Sequence, residues 1–313
     1  MKALLSSALA LCLSTSLLAN ASEADSCALV RFADVGWTDI TMTTATTRIL
    51  LDALGYRTNV KRMSVPETFA ALGDNKLDVF LGTWLPSMQA DLQPYLDKRS
   101  IETLRVNLEG AKYTLAVPAE AYAGGLQNFN DIAKYAEQLD HKIYGIEPGN
   151  DGNQLISKMI KDNAYGLGSF KLIEGSEAKM LANVKRAEKL KQWVVFLGWE
   201  PHPMNTRLQM HYLDGGDAVF GPNYGGATVA TNVRAGFMQQ CPNSGKLLNN
   251  LVFSLDMENQ LMDAVLNQHI SRRQAALTWL KSNPQALDGW LQGVTSRTGE
   301  PALAVVKAKL GLQ

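Results

Sequence analysis

The stretch VVFLGWEPHP at residues 194–203 decides the fold, because it repeats a pattern that occurs about a hundred residues earlier. DVFLGTWLPS at residues 78–87 contains the same Val-Phe-Leu-Gly run, followed within two positions by Trp and, two positions later, by Pro. A short apolar run bounded by turn residues is typical of a strand that is buried on both faces of a parallel sheet. The two runs therefore predict two equivalent strands, each of which ends by presenting a tryptophan in a loop.

Strand and helix patterns alternate before each of these runs. In the first half the strand patterns cover residues 27–35, 57–65 and 77–84, and the helix patterns cover 44–56 and 66–74. The same order recurs in the second half, with strands at 141–148, 169–175 and 192–199 and helices at 153–162 and 177–191. This β-α-β-α-β order predicts parallel sheets with right-handed crossovers, in which ligands bind at the carboxyl ends of the strands.

The length and the order of the elements predict two α/β lobes. A chain of 313 residues exceeds the roughly 100–200 residues of one domain. Residues 218–237 resemble a strand, a turn and a second strand, and residues 244–313 follow a helical pattern. We expect the chain to return to its first lobe after the second one, which assigns residues 22–113 and 213–313 to lobe 1 and residues 114–212 to lobe 2.

The N-terminus has the features of a signal peptide. Lys2 supplies a positive charge, residues 3–18 are mostly apolar, and Ala19-Asn20-Ala21 matches the small-x-small pattern of a cleavage site. The apolar stretch is broken by serines and is shorter than a membrane-spanning helix requires. We therefore expect residues 1–21 to be removed during export.

The cysteines agree with export. Cys12 belongs to the predicted signal peptide, which leaves Cys27 and Cys241 as an even pair in an oxidising compartment. A disulfide between them is the favoured interpretation, and two buried free thiols are the alternative. Such a bridge would bring the first strand close to a segment far along the chain.

Charge and motifs exclude several classes of function. Lys and Arg number 30 and Asp and Glu also number 30, and removal of Lys2 with the signal peptide leaves 29 against 30. A near-neutral chain without a basic cluster has no electrostatic basis for binding nucleic acid. The cysteines and four histidines show no metal-ligand spacing, and no catalytic or phosphate-binding motif is present. We therefore expect neither a metal, nor a cofactor, nor an enzyme.

Three of the six tryptophans stand at predicted strand ends. Trp37, Trp84 and Trp199 each follow Gly or Gly-Thr at such an end, whereas the other three, Trp193, Trp279 and Trp290, are more typical of core packing. Aromatic faces attract cations and suit quaternary ammonium groups, which offer few hydrogen-bond donors. Stacked aromatics also bind sugars, but few polar residues accompany these tryptophans. The pattern favours a cation.

Five motifs together resemble one family of transport proteins. These are GWTD, VFLGTWLP, AKYTLAVP, EPGNDGN and VFLGWEPHPMN, which occur in this order over essentially the whole mature chain. They resemble the substrate-binding proteins of ABC importers for choline and glycine betaine. The resemblance implies a type II periplasmic-binding-protein fold with a ligand cleft between its lobes. It also implies an aromatic cage around the trimethylammonium group, formed here by Trp37, Trp84, Tyr113 and Trp199.

The same resemblance assigns roles to polar residues. Asp39 matches a family carboxylate near the cation, and Asn150 matches the group that meets the choline hydroxyl. An acid in the pocket attracts a full cation and repels the carboxylate of betaine, which favours choline. The residues alone leave alternatives open, since Asp39 is also a good helix cap and Asn150 lies in a turn-forming stretch. His202 and Asp151 are expected behind the contacting residues, although betaine-binding relatives hold the carboxylate with a histidine.

The resemblance thus implies a monomeric periplasmic protein that closes on choline and delivers it to an ABC permease and its ATPase. Glycine betaine is the alternative ligand, and acetylcholine is a further candidate. A periplasmic hydrolase of choline esters is a weaker interpretation, because the sequence shows neither a nucleophile nor a base for it.

Overall fold

The computed structural model describes residues 23–312, in which the chain forms a mixed sheet of nine strands. The predicted signal peptide lies outside these residues. The strands are β1 (Leu29–Asp34), β2 (Arg57–Arg62), β3 (Val79–Leu85), β4 (Ile101–Pro118), β5 (Lys142–Tyr144), β6 (Lys171–Ile173), β7 (Val195–Glu200), β8 (Met210–Tyr212) and β9 (Gly226–Arg234). Their order is β2-β1-β3-β9-β4-β7-β5-β6, and β8 pairs with β4.

Helices cover this sheet and form most of the C-terminal region. They are α1 (Thr38–Ala53), α2 (Val65–Gly73), α3 (Gln89–Asp97), α4 (Ala119–Ala123), α5 (Phe129–Ile132), α6 (Asp151–Lys161), α7 (Glu177–Leu190), α8 (Met204–Arg207), α9 (Asp217–Phe220), α10 (Pro222–Gly225), α11 (Phe237–Gln240), α12 (Pro242–Asn250), α13 (Leu255–Leu266), α14 (Arg272–Ser282), α15 (Ala286–Trp290) and α16 (Ala302–Leu310). Short 3₁₀ turns occupy Asp25–Cys27, Ala133–Tyr135 and Ala164–Ser169.

The internal repeat predicted from the sequence is present in the sheet. In lobe 1, β1 pairs in parallel with β2 and with β3, and in lobe 2, β5 pairs in parallel with β6 and with β7. The orders β2-β1-β3 and β6-β5-β7 therefore mirror each other across the sheet. The two Val-Phe-Leu-Gly runs lie in β3 and β7, the innermost strand of each set, and both are buried.

Strand β4 joins the two lobes, and the sequence patterns did not predict its first half. Residues 101–112 pair with β9, and residues 112–116 pair with β7, so one strand serves both lobes. Much of the segment IETLRVNLEG is only partly buried, and many of its positions are polar. The apolar pattern that would indicate a strand is therefore weak in this segment. The predicted lobe boundary at residues 113 and 114 falls inside β4, and the boundaries remain a prediction.

Two predicted element positions were wrong. Helix α1 begins at Thr38, six residues before the predicted start, because a run of buried threonines continues its inner face. The first strand predicted within residues 218–237 is replaced by α9 and α10, and only the second one exists, as β9. Glycines at residues 221 and 225 allow this tight path through positive φ angles of 94° and 65°.

Cys27 and Cys241 form the predicted disulfide, and their Cα atoms are 5.6 Å apart. Cys27 ends the 3₁₀ turn before β1, and Cys241 precedes α12, so the bridge fastens the start of lobe 1 to its C-terminal region. Both cysteines are buried. Over residues 23–312, none of the helices combines the length and apolarity that a membrane crossing requires.

We expect replacement of both cysteines by alanine to lower the free energy of unfolding by about 2–5 kcal/mol, because a native cross-link restricts the unfolded chain. Urea unfolding of wild type and variant measures this. Reduced wild-type protein is the control and should unfold at the midpoint of the variant. Equal midpoints for the oxidised wild type and the variant would contradict the expectation.

Candidate ligand-binding site

A small, nearly filled cavity lies between the lobes. The side chains that line it are Trp37, Asp39, Trp84, Tyr113, Ile146, Asp151 and Trp199. The site therefore combines four aromatic rings, one aliphatic side chain and two carboxyl groups.

The repeated strands deliver two of the rings. Trp84 lies near the end of β3 and Trp199 near the end of β7, and both are almost fully buried. Tyr113 lies opposite Trp199 in the β4–β7 pairing, and its ring centre is 5.7 Å from that of Trp84. The glycines that precede the tryptophans leave room for neighbouring side chains. At Gly82, for example, a Cβ would lie only 2.6 Å from the side chain of Ile40.

The fourth ring comes from the loop between β1 and α1. Trp37 immediately precedes α1, and its indole N–H donates to Oε2 of Glu147 at 3.1 Å. Glu147 lies in the loop between β5 and α6 of lobe 2. The orientation of this ring in lobe 1 is therefore fixed by an acceptor from lobe 2.

Four polar atoms at the cavity have no protein partner. Both carboxylate oxygens of Asp39, Oδ2 of Asp151 and the indole nitrogen of Trp84 are buried without a hydrogen bond. Buried polar groups are nearly always paired in folded proteins, because an unpaired one costs the free energy of its desolvation. Their convergence on one cavity indicates that a ligand with complementary groups satisfies them.

Burial dominates the electrostatics of Asp39. Desolvation, followed by the negative charge of Glu177, raises the pKa of Asp39 to about 8. The N–H groups of Asp39 and Ile40 lie near enough to lower this pKa slightly, although neither forms a hydrogen bond with the carboxylate. Asp39 is not the helix cap that the sequence left open, because Trp37 occupies the cap position of α1.

Asp151 lines the cavity instead of lying behind it. Its Oδ1 accepts from Nδ2 of Asn150 at 3.1 Å, which leaves Oδ2 towards the cavity. Desolvation raises the pKa of Asp151 to about 6, and the Ser87 hydroxyl opposes this shift. The site therefore has a second carboxyl group that ionises more readily than Asp39.

Asn150 lies behind the cavity wall. It caps α6, since its Oδ1 accepts from the N–H of Asn153 at 3.0 Å, and the same oxygen accepts from the hydroxyl of Tyr113 at 2.8 Å. Gly152 in the first turn of α6 makes this approach possible, because a Cβ there would come within 2.3 Å of the Tyr113 oxygen. Asn150 thus positions Tyr113 and Asp151.

His202 also lies behind the cavity. Its Nδ1 accepts from the N–H of Met204 at 2.9 Å, so Nε2 carries the proton and donates to Glu177 at 3.2 Å. The ring packs edge-on against Trp199, with centres 4.9 Å apart. With both nitrogens engaged, His202 supports the site without contacting its interior.

Sequence reasoning missed Ile146, Glu147 and Glu177. Ile146 lines the cavity, Glu147 holds Trp37, and Glu177 accepts hydrogen bonds from Thr38 and His202. Burial favours the neutral form of Glu177, but the hydrogen bonds from His202 and Thr38 outweigh it and lower its pKa. Glu147 is the first residue of the EPGNDGN motif, which was the available signal, whereas nothing local marked Glu177.

The remaining tryptophans do not line the cavity. Trp193 packs on Tyr135 with ring centres 4.9 Å apart, and Trp279 stacks on Trp290 at 6.0 Å. Their interpretation as packing residues agrees with these contacts.

The arrangement suits a small organic cation. Aromatic faces and carboxylates both favour positive charge, and desolvation strengthens these interactions. Among residues 23–312, the side chains that line the cavity include no Lys, Arg or His, so nothing cationic competes for the site.

Comparison with known proteins agrees with a two-lobed binding protein. The sequence model of one protein family, the substrate binding domain of ABC-type glycine betaine transport systems, matches residues 28–282 of this chain. The chain belongs to this family, and it is a transport protein and not an enzyme. A glycine betaine/carnitine transport binding protein of Listeria monocytogenes is 29% identical over 164 residues, which cover 52% of this chain and 53% of that protein.

Two solved structures are more similar. An ABC-transporter choline-binding protein in complex with choline is 56% identical, with a TM-score of 0.91 over 92% of this chain and 100% of that chain. A structure of such a protein in an unliganded semi-closed conformation has the same identity and coverage and a TM-score of 0.86. The conformation described here is therefore nearer to the liganded one, and we call it closed.

The raised pKa of Asp39 predicts that acid favours closure of the empty protein. In an open cleft its carboxyl group meets water and has an ordinary pKa of about 4, whereas in the empty closed cavity the pKa is about 8. Between these values the closed form binds a proton that the open form lacks, so lowering the pH shifts the equilibrium towards closure.

Small-angle X-ray scattering of ligand-free protein between about pH 8 and about pH 5 measures this shift as a falling radius of gyration. In Asp39→Asn we expect a weaker response near pH 6, due to Asp151. A radius of gyration that does not vary with pH in the wild type would contradict the prediction.

Proposed function

We propose that this protein captures choline in the periplasm and delivers it to an ABC importer. The trimethylammonium group lies among Trp37, Trp84, Tyr113 and Trp199, and the hydroxyl donates to a carboxylate. The observation that carries the proposal is Asp39, a buried carboxyl group with two unpartnered oxygens inside an aromatic cavity. The choline-bound structure at 56% identity supports the same ligand.

Charge separates choline from glycine betaine in this site. Choline carries a net positive charge, which compensates a buried carboxylate, whereas the carboxylate of betaine meets Asp39 and Asp151 at close range and is repelled. A buried carboxylate of betaine would need hydrogen-bond donors to satisfy it. Here His202 is already paired with Glu177 and with a backbone N–H.

Glycine betaine remains the second candidate because of one observation. The indole N–H of Trp84 is buried without an acceptor at the cavity, and the carboxylate of betaine would accept from it. Protonation of Asp39 would remove part of the repulsion. The same N–H can also donate to the choline oxygen, so this observation does not exclude choline.

The proposal includes the route of the ligand. Residues 1–21 direct export and are removed, and the mature monomer works in the periplasm. Lobe 1 (residues 22–113 and 213–313) supplies Trp37, Asp39 and Trp84, and lobe 2 (residues 114–212) supplies Trp199. The closed form then presents both lobes to a membrane permease with its ATPase. The permease distinguishes the closed, loaded protein from the empty one by the change of shape on closure.

We expect calorimetry of ligand-stripped protein at about pH 7.5 to show choline binding at least tenfold tighter than glycine betaine, a difference of about 1.4 kcal/mol. In Asp39→Asn the preference should shrink or reverse, because the repulsion of betaine disappears along with the attraction of choline. Asp263→Asn, which changes a partly buried carboxylate outside the cavity, is the matched control. Betaine bound tenfold tighter than choline by the wild type would overturn the choice of ligand.

Loss of a cage ring should weaken binding through lost cation–π contact and burial. We expect Trp84→Ala and Trp199→Ala each to lower the affinity for choline by about 10–100-fold, or roughly 1–3 kcal/mol. Trp84→Phe, which keeps an aromatic face, should lose less than Trp84→Ala. Trp279→Ala changes a tryptophan outside the cavity and should bind as the wild type does. Full affinity in the double alanine variant would contradict the cage.

A further inference from the structure

Helix α1 is capped from the opposite lobe. It is 16 residues long, and its own cap residue, Trp37, supplies no side-chain acceptor. Glu177 of lobe 2 supplies two instead. Its Oε2 accepts from the N–H of Thr38 at 2.8 Å, and its Oε1 accepts from the Thr38 hydroxyl at 2.6 Å. A carboxylate at this position satisfies an orphan N–H group and complements the positive end of the helix.

The capping carboxylate is itself held in place. Nε2–H of His202 donates to Oε1 of Glu177, and the N–H of Glu177 donates to Oε1 of Glu147. Side-chain exposure of Glu177 and His202 is only 5% and 2%, so water does not replace these bonds in the closed form. The hydrogen bonds keep Glu177 ionised, since they lower its pKa.

The same group reaches the cage. Glu147, which accepts from Glu177, also accepts from the indole N–H of Trp37, and Trp37 directly precedes the capped residue Thr38. Thr38 and Trp37 lie in lobe 1, whereas Glu147, Glu177 and His202 lie in lobe 2. The bonds that Thr38 and Trp37 donate therefore exist only when the lobes meet, and they fix one ring of the cage as they form.

We propose that Glu177 is a positioning residue that couples lobe closure to assembly of the aromatic cage, by capping α1 in trans. We name Thr38, Glu147, Glu177 and His202 the clasp. The clasp touches no ligand, and it acts by holding Trp37 and by lowering the free energy of the closed state. This inference rests on the proposed function, since its readout is a bound quaternary ammonium compound.

Stopped-flow Trp fluorescence with choline tests the clasp. A group that stabilises the closed complex slows dissociation and leaves encounter with the open cleft unchanged. We expect Glu177→Ala to raise the dissociation rate at least tenfold and to change the association rate by less than about threefold. Thr38→Val removes one of the two hydrogen bonds and should give a smaller increase in the same rate.

The double variant decides whether the two residues act together. If Glu177 works through Thr38, Glu177→Ala combined with Thr38→Val should dissociate hardly faster than Glu177→Ala alone, because neighbours in one network are not additive. Asp263→Asn is the control for an interlobe ion pair in general. Asp263 pairs with Arg207 across the cleft but the arginine side chain is 55% exposed, so its loss should change the rate by less than twofold.

The outcomes separate the two proposals. If the wild type binds choline and Glu177→Ala dissociates at the wild-type rate, or the double variant is fully additive, the clasp is overturned and the proposed function stands. If the wild type binds neither choline nor betaine, the proposed function fails. The clasp is then tested by small-angle X-ray scattering of the ligand-free wild type and Glu177→Ala at about pH 5. Equal radii of gyration for the two proteins would overturn it.

Discussion

The burial of Asp39 constrains the rest of the site. A carboxylate removed from water without a donor is costly, and here neither oxygen of Asp39 accepts a hydrogen bond in a cavity lined mainly by aromatic rings. An empty closed cavity must therefore either take up a proton or hold an uncompensated charge, whereas a cation removes both costs. The aromatic rings add attraction for that cation without adding a competing group. We therefore expect a bound cation to favour closure, because the polar interior is incomplete without a ligand.

The repeated topology explains how distant residues meet at this cavity. Strands β3 and β7 occupy equivalent places in mirrored sets, and each pairs antiparallel with a strand that runs between the sets, β9 or β4. Their carboxyl ends therefore face the same cleft, where each delivers a tryptophan. Tyr113, opposite Trp199 on β4, completes the group from the connecting strand itself. The architecture places the rings, and Asn150, Glu147 and His202 orient them or their neighbours.

Features that depend on neighbouring residues could be predicted from the sequence, whereas contacts between residues far apart in the chain could not. The Val-Phe-Leu-Gly runs are continuous and apolar, so both strands and their tryptophans were predictable, and the cysteine pair predicted its bridge. Glu177 carries no local signal, because its partner Thr38 is 139 residues away. The first half of β4 was missed because it is polar at many positions and much of it is only partly buried. Asp151 was expected behind the cavity and lines it, since the cap geometry of α6 determines which neighbouring side chain turns inward, and no sequence pattern encodes that.

The disulfide gives the covalent structure a property of its own. It joins residues 214 positions apart, and lobe 2 lies entirely between them. Lobe 2 also leaves and rejoins lobe 1 close to adjacent strands, β4 and β9. The chain from Cys27 to Cys241 and the disulfide together form a closed covalent ring, and lobe 2 is an insertion within that ring. A protease that cuts once within this insert opens the ring without releasing a fragment, so a nicked molecule in an oxidising compartment keeps both walls of its cleft tethered.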